Sequence, residues 1–154
     1  MDKFDKEILR YLQADASTSN ARIGEIIGLS ASQVSRRRAR LESIGIISGY
    51  RALVDADALG VSLSAFVKVR LHAHSKNAAA SFKSLVKDLP AIRLACAITG
   101  DADYLLHVQV STLAALSELI NEHLLAHPDV REVRSDVVLD MLKDDSTISI
   151  DALV

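Results

Sequence analysis

The chain has 154 residues, 49% of them hydrophobic and 25% charged, with a formal net charge of -2 at pH 7. Such a content builds a packed interior and excludes a disordered chain, and the length suits one ordinary domain or two small ones. With 4% aromatic residues and no Trp the chain lacks stacking platforms for single-stranded nucleic acid, one cysteine excludes an internal disulfide framework or a Cys-rich zinc site, and no apolar run nears the roughly 20 residues that cross a bilayer. The opening Met1-Asp2-Lys3-Phe4-Asp5-Lys6 does not resemble a secretory leader, so a cytoplasmic protein is expected.

Phe4, Ile8, Leu9, Tyr11 and Leu12 share one face at helical spacing and predict a first helix to about Gln13, with Asp15 to Ser19 breaking it. Ser19 is the N-cap expected for a short second helix carrying Ala21, Ile23, Ile26 and Ile27, and Gly28 suits the left-handed position that ends it. Ser30-x-x-Gln33 is a capping box that starts a third helix running to about Gly45. Val34, Leu41 and Ile44 turn its apolar stripe inward, which leaves Ser32, Ser35, Arg36, Ala39 and Arg40 on the outer face. Arg38 falls close to the buried stripe, so either its stem lies along that stripe or the helix is rotated. Ile46 to Val54 reads as a short hairpin turning at Ser48-Gly49, giving a winged helix-turn-helix, and a linker is placed at 55–61.

The second half repeats a strand-helix-strand unit. Leu63, Ala65, Val67, Val69 and Leu71 alternate with Ser64, Phe66, Lys68, Arg70 and His72. A helix on Ala78, Phe82, Leu85 and Leu89 stops at Pro90, and a strand covers Ile92 to Ile98. Then follow a strand on Leu106, Val108 and Val110, a helix on Leu113, Leu116, Ile120 and Leu124, and a closing strand from Val133 to Met141. The fold class is therefore α+β: a winged helix-turn-helix over 1–54, a linker over 55–61, and a ferredoxin-like βαββαβ domain over 62–154. Helices cover one face of such a sheet, and its other face must meet water or another subunit, so a homo-oligomer is expected.

Residues 1–51 hold nine Lys/Arg against six Asp/Glu, or +3, and residues 52–154 hold nine against fourteen, or -5. A basic front and acidic back fit a nucleic-acid module joined to a domain with another task. Arg36, Arg37, Arg38 and Arg40 could form a merely solvated helix face, but a capped helix entering a major groove uses its N-terminal residues on base edges and flanking cations on phosphates. Ser32, Gln33 and Arg36 are the base-edge candidates, Arg37 and Arg40 the phosphate candidates, and Ser30 and Ser35 complete the surface. Double-stranded DNA is the expected partner.

Thr99-Gly100-Asp101-Ala102-Asp103-Tyr104 connects the second and third strands. It reads either as a hairpin turn or as a small-molecule pocket in which Gly admits a ligand to the backbone and two carboxylates receive an ammonium group. Cys96 is expected to be buried. His72-x-His74 has no carboxylate or thiolate beside it, so no metal site is assigned, and no cofactor motif or catalytic constellation is found.

The chain resembles the Lrp/AsnC family of bacterial and archaeal transcriptional regulators over nearly its whole length. The resemblance rests on Asp5-x-x-Ile8-Leu9-x-x-Leu12, Gly28-Leu29-Ser30, Arg36-Arg37, Arg40-Leu41-Glu42-x-x-Gly45-x-Ile47-x-Gly49-Tyr50 and Gly100-Asp101-x-Asp103-Tyr104-Leu105-Leu106. It implies a DNA-binding regulator that is not an enzyme, works at the nucleoid, and forms dimers through the second domain that assemble into an octamer, a tetramer of dimers. It further implies an amino-acid effector at Thr99 through Tyr104. Arg38 stands where the family usually has an apolar residue, and Ala102 where it often has a larger one. An architectural DNA-compacting protein without ligand response is the alternative, with an enzyme on the ferredoxin-like scaffold a third reading that fold alone does not support.

Overall fold

A computed structural model describes residues 1–72, 77–145 and 147–150. The chain divides into two compact units, one built from Met1–Leu53 with the C-terminal segment that begins at Lys143, the other from Val54–Leu142.

The first unit holds α1 (Lys3–Ala14), α2 (Asn20–Ile27) and α3 (Ala31–Ser43). Asp2 and Asp5 form a capping box at the start of α1, each side chain accepting from the other's backbone N–H at 2.9 and 3.1 Å. The Ser19 hydroxyl accepts from Arg22 N, and α2 ends at Gly28 in the left-handed conformation. Gly24 is required where α2 turns into α3, because a Cβ there would lie 2.4 Å from the carbonyl oxygen of Leu29. Ile8, Leu9, Leu12, Ile23, Val34 and Leu41 form the core, joined by Ile150 from the far end of the chain. The Gln13 amide fastens that end: Ile148 N donates to its Oε1 at 2.7 Å, and its Nε2 donates to Ile148 O at 3.1 Å. An apolar position and two backbone groups thus recruit to this unit a segment that the sequence analysis grouped with the second.

The expected hairpin does not form. Among the described residues no strand lies between α3 and Leu63, and Ile46 to Asp55 runs without a ladder partner. The segment has the β-branched residues of a strand, but a strand needs a neighbour to satisfy its N–H and C=O groups, and the chain supplies none here.

The second unit is a four-stranded antiparallel sheet of order β2-β3-β1-β4, made from β1 (Leu63–Leu71), β2 (Ile92–Ala97), β3 (Tyr104–Val110) and β4 (Val130–Val137). Two helical segments cover one face: α4 (Ala78–Asp88), and α5 (Leu113–Glu118) continuing into a π-helical turn over Leu119–Leu124. The alternation of β1 is as expected, with Ala65, Val67 and Val69 buried against Phe82, Leu106, Val108, Leu116, Leu119 and Leu124. The π turn, closed by Leu125 N donating to Ile120 O at 2.8 Å, brings Leu119 and Leu124 to the same side although they are five apart. Leu113, read as part of the buried stripe, is exposed instead. The closing strand starts at Val130 and ends at Val137, leaving Leu139 and Met141 exposed beyond it. Cys96 is exposed rather than buried, because β2 is an edge strand and Cys96 pairs with Leu105 on the helix-free face.

Candidate nucleic-acid interface and ligand loop

α3 projects its outer face because Val34 and Leu41, seven residues apart, are both fully buried. Opposite them Ser32, Ser35, Arg36 and Ala39 are exposed. Arg36 has no ion pair or hydrogen bond to the described residues, so its guanidinium is unengaged.

The other three arginines are occupied. Arg37 Nη1 donates to Asp2 Oδ2 and to Asp5 Oδ1, both at 2.8 Å, and its guanidinium lies 5.4 Å from the Phe4 ring centroid. Asp5 is only 1% exposed and Arg37 26%, so this ion pair is largely sealed from solvent. The hydrogen bonds from Arg37 to Asp5 and then to Asp2 push the Arg37 pKa up, while the Asp5 backbone N–H and Arg37 together hold the Asp2 carboxyl below the ordinary carboxylate range. Arg40 reaches Asp5 Oδ2 at 3.4 Å but remains 58% exposed, leaving it free to touch a second anion. Arg38 is resolved by its partners: Nη1 donates to Asn20 Oδ1 at 2.8 Å, and the guanidinium lies 5.2 Å from the Tyr50 ring. Tyr50 in turn donates to Glu42 Oε1 at 2.7 Å. Arg38 therefore fastens the start of α2 and the chain after α3 to α3 itself.

At the N-terminus of α3, Ser30 Oγ accepts from Gln33 N at 3.2 Å and lies 3.0 Å from Ser32 Oγ, while Ser30 N donates to Gln33 Oε1 at 2.9 Å. Ser30 is thus engaged in capping, and Gln33 and Ser32 stand exposed beside it.

In the second unit, Thr99 to Tyr104 joins β2 to β3. Ile98 N donates to Asp103 O and Asp103 N to Val69 O, both at 3.0 Å, and Asp103 Oδ2 accepts from Leu71 N at 2.8 Å. One of the two carboxylates is therefore committed to holding the loop against β1. Gly100 adopts φ +122°, a conformation L side chains rarely take, Ala102 is buried, and the Tyr104 ring packs 4.8 Å from Phe82. Thr99 and Asp101 face outward. Arg70 Nε donates to Asp101 O and its Nη1 reaches Glu132 Oε2 at 3.4 Å. The cavity beside the loop, lined by Lys68, Arg70, Asp101, Ala102, Glu132 and Arg134, holds about 10 Å³. That admits a water molecule and no more.

His74 lies outside the described residues, and the N–H of His72 donates to Asp129 O at 2.9 Å. Among the described residues no cluster of three His, Cys, Asp or Glu is placed to hold a metal, and no helix is long and apolar enough to cross a membrane. Sequence reasoning missed Asp2 and Asp5 as partners of α3; the Asp2-x-x-Asp5 spacing signals the cap, but nothing local signals the ion pair.

Residues 1–42 match the AsnC-type helix-turn-helix domain and residues 64–148 the Lrp/AsnC ligand binding domain. The chain is 35% identical over 150 residues to the leucine-responsive regulatory protein of Rhizobium meliloti, covering 97% of this chain and 96% of that one. It is 34% identical to that of Escherichia coli K12, with 97% and 92% covered. Among solved structures, a transcriptional regulator of Neisseria meningitidis in complex with L-methionine matches with TM-score 0.96 at 31% identity, covering 100% of this chain and 99% of that one. An AsnC family regulator of Agrobacterium tumefaciens matches with TM-score 0.93 at 28% identity over the full length of both.

Proposed function

The chain belongs to the Lrp/AsnC family of transcriptional regulators, and from that premise we propose that α3 reads a specific double-stranded DNA sequence and that an amino acid bound at Thr99–Tyr104 modulates the reading. The chain is a regulator, not an enzyme. The observation that carries the DNA assignment is the unengaged Arg36 on an exposed, capped helix face beside Ser32 and Ser35. Ser32, Gln33 and Arg36 meet base edges, Ser35 and Arg40 steady the backbone, and Ser30 holds the helix start. Arg37, neutralised by Asp2 and Asp5, sets the position of α3 rather than touching phosphate. Residues 1–54 are the DNA-binding domain, 55–61 the hinge, and the sheet unit the sensor, the whole acting at the nucleoid in the cytoplasm.

The L-methionine held by the Neisseria relative supports an amino-acid effector. Asp101, exposed and with no hydrogen bond to its carboxylate from the described residues, suits an ammonium group better than the committed Asp103. A 10 Å³ cavity does not enclose an amino acid, which supports a site that a second copy completes. The helix-free sheet face, with Phe66 stacked on His107 at 5.0 Å and Leu94 exposed, supports a homodimer, and the same proposal pairs such dimers around the loops into an octamer.

Fluorescence anisotropy with a selected duplex and thermal unfolding with each of the twenty amino acids test both halves. Arg40→Ala lowers the salt slope of binding by about 0.9, Arg36→Ala relaxes the sequence preference, and Arg37→Ala leaves the slope and lowers stability. A wild-type affinity that does not change with salt refutes the DNA reading; no thermal shift with any amino acid refutes the effector reading.

A further inference from the structure

Gln33 performs two tasks at once, and the first constrains the second. The atom 2.9 Å from Ser30 N faces a backbone N–H, which can only donate, so it is the amide oxygen and not the nitrogen. The capping box therefore fixes which end of the amide is turned back onto the helix start and which is left over. The end left over is the NH₂ group, two donors on an exposed side chain. A glutamine normally recognises adenine with both ends, its oxygen accepting from N6 and its nitrogen donating to N7. That arrangement requires both ends of one planar amide to face the base, which an oxygen held against its own helix start does not permit.

We propose that Gln33 is a specificity-determining residue that turns its donors to the groove, so that the recognition helix selects the keto edges of guanine or thymine over cytosine, which offers no acceptor there, and over adenine, whose single acceptor N7 sits beside the N6 donor. Arg36, one turn further on, is donor-only and favours the paired acceptors O6 and N7 of guanine. Arg36 has no acceptor and the Gln33 oxygen is turned to Ser30 N, so the two side chains lead with donors and the bases they meet supply the acceptors. This inference rests on the DNA-reading assignment and adds the chemical class of the bases read.

The test uses the full chain in selection from a randomised duplex pool, with Gln33→Glu and Gln33→Lys beside the wild type. A glutamate keeps the oxygen that caps Ser30 N but has no donor; a lysine keeps donors but loses the cap. The wild type is expected to enrich guanine or thymine at one position per half-site by about fivefold to tenfold. Gln33→Glu is expected to unfold at or above the wild-type temperature yet to lose that preference or move it to cytosine or adenine, while Gln33→Lys keeps it and unfolds earlier. Selection of adenine at the position by the wild type, or an unchanged preference in a folded Gln33→Glu, overturns the inference while leaving sequence-specific binding intact. A wild type that enriches no sequence overturns both.

Discussion

Replacing Asp5 with alanine removes the acceptor on which three donors converge: Arg37 Nη1 at 2.8 Å, Arg40 Nη1 at 3.4 Å and the backbone N–H of Asp2 at 3.1 Å. Because Asp5 is 1% exposed, water cannot take its place, and Arg37 is left with the half-exposed Asp2 as its remaining acid. Breaking a sealed ion pair from one side costs about 3–5 kcal/mol, a large share of the roughly 5–15 kcal/mol that a domain has in total. Losing the capping box adds about 1 kcal/mol. At roughly 4–8 °C per kcal/mol for a small domain, even the lower bound moves the unfolding of this unit by about 12–24 °C. Hydrogen exchange through a urea series, resolved by peptide, reports each unit separately: protection in α1 and α3 should collapse early while β1 and β3 keep theirs. The double variant Asp5→Leu with Arg37→Met should regain much of the loss, since an apolar pair of similar size leaves no uncompensated charge. If Asp5→Ala costs less than about 1 kcal/mol, the value of an exposed surface pair, the sealed network is not what fixes α3.

Three further outcomes follow from the packing and the ionisation. Gly24→Ala puts a methyl group 2.4 Å from a backbone oxygen that has no flexible end to move, and should destabilise the first unit by about 1–3 kcal/mol in urea denaturation. Phe82→Ala, at a site 1% exposed between the sheet and α4, should cost about 3–5 kcal/mol and lower the unfolding temperature of the second unit alone. The Asp2 carboxyl is held below its ordinary range in the folded chain, so its contribution is present above its unfolded value and is lost as pH falls through the folded one. Acid titration should therefore loosen α1 below about pH 4, and Asp2→Asn should blunt that transition when α1 exchange is followed with pH.

The elements that rest on local rules were legible. Ser30-x-x-Gln33 marked the start of α3, Gly28 the end of α2, and the strict alternation of β1 gave its buried face. What local rules cannot carry was not. Arg37 and Asp5 are 32 positions apart, so nothing local shows that the run of four arginines comprises one unengaged arginine, one shared and two fastened. The π turn brings Leu119 and Leu124, five positions apart, to one side, a spacing that a 3.6-residue period does not supply. The segment after α3 carries a strand's composition, yet pairing is a property of two segments and not of one. For the ligand loop, Gly100 and the two carboxylates were found from sequence, but their unequal engagement depends on Leu71 N, 32 positions away from Asp103.

The docking of Ile148 and Ile150 also sets the order in which this molecule matures. A ribosome adds about 5–20 residues per second, so the helices that read DNA emerge roughly 5–20 s before the segment that closes their core. The first unit is thus completed only after the second has been made. A chain cut ahead of Lys143 lacks Ile148 and Ile150, and its first unit is missing a piece of its own interior.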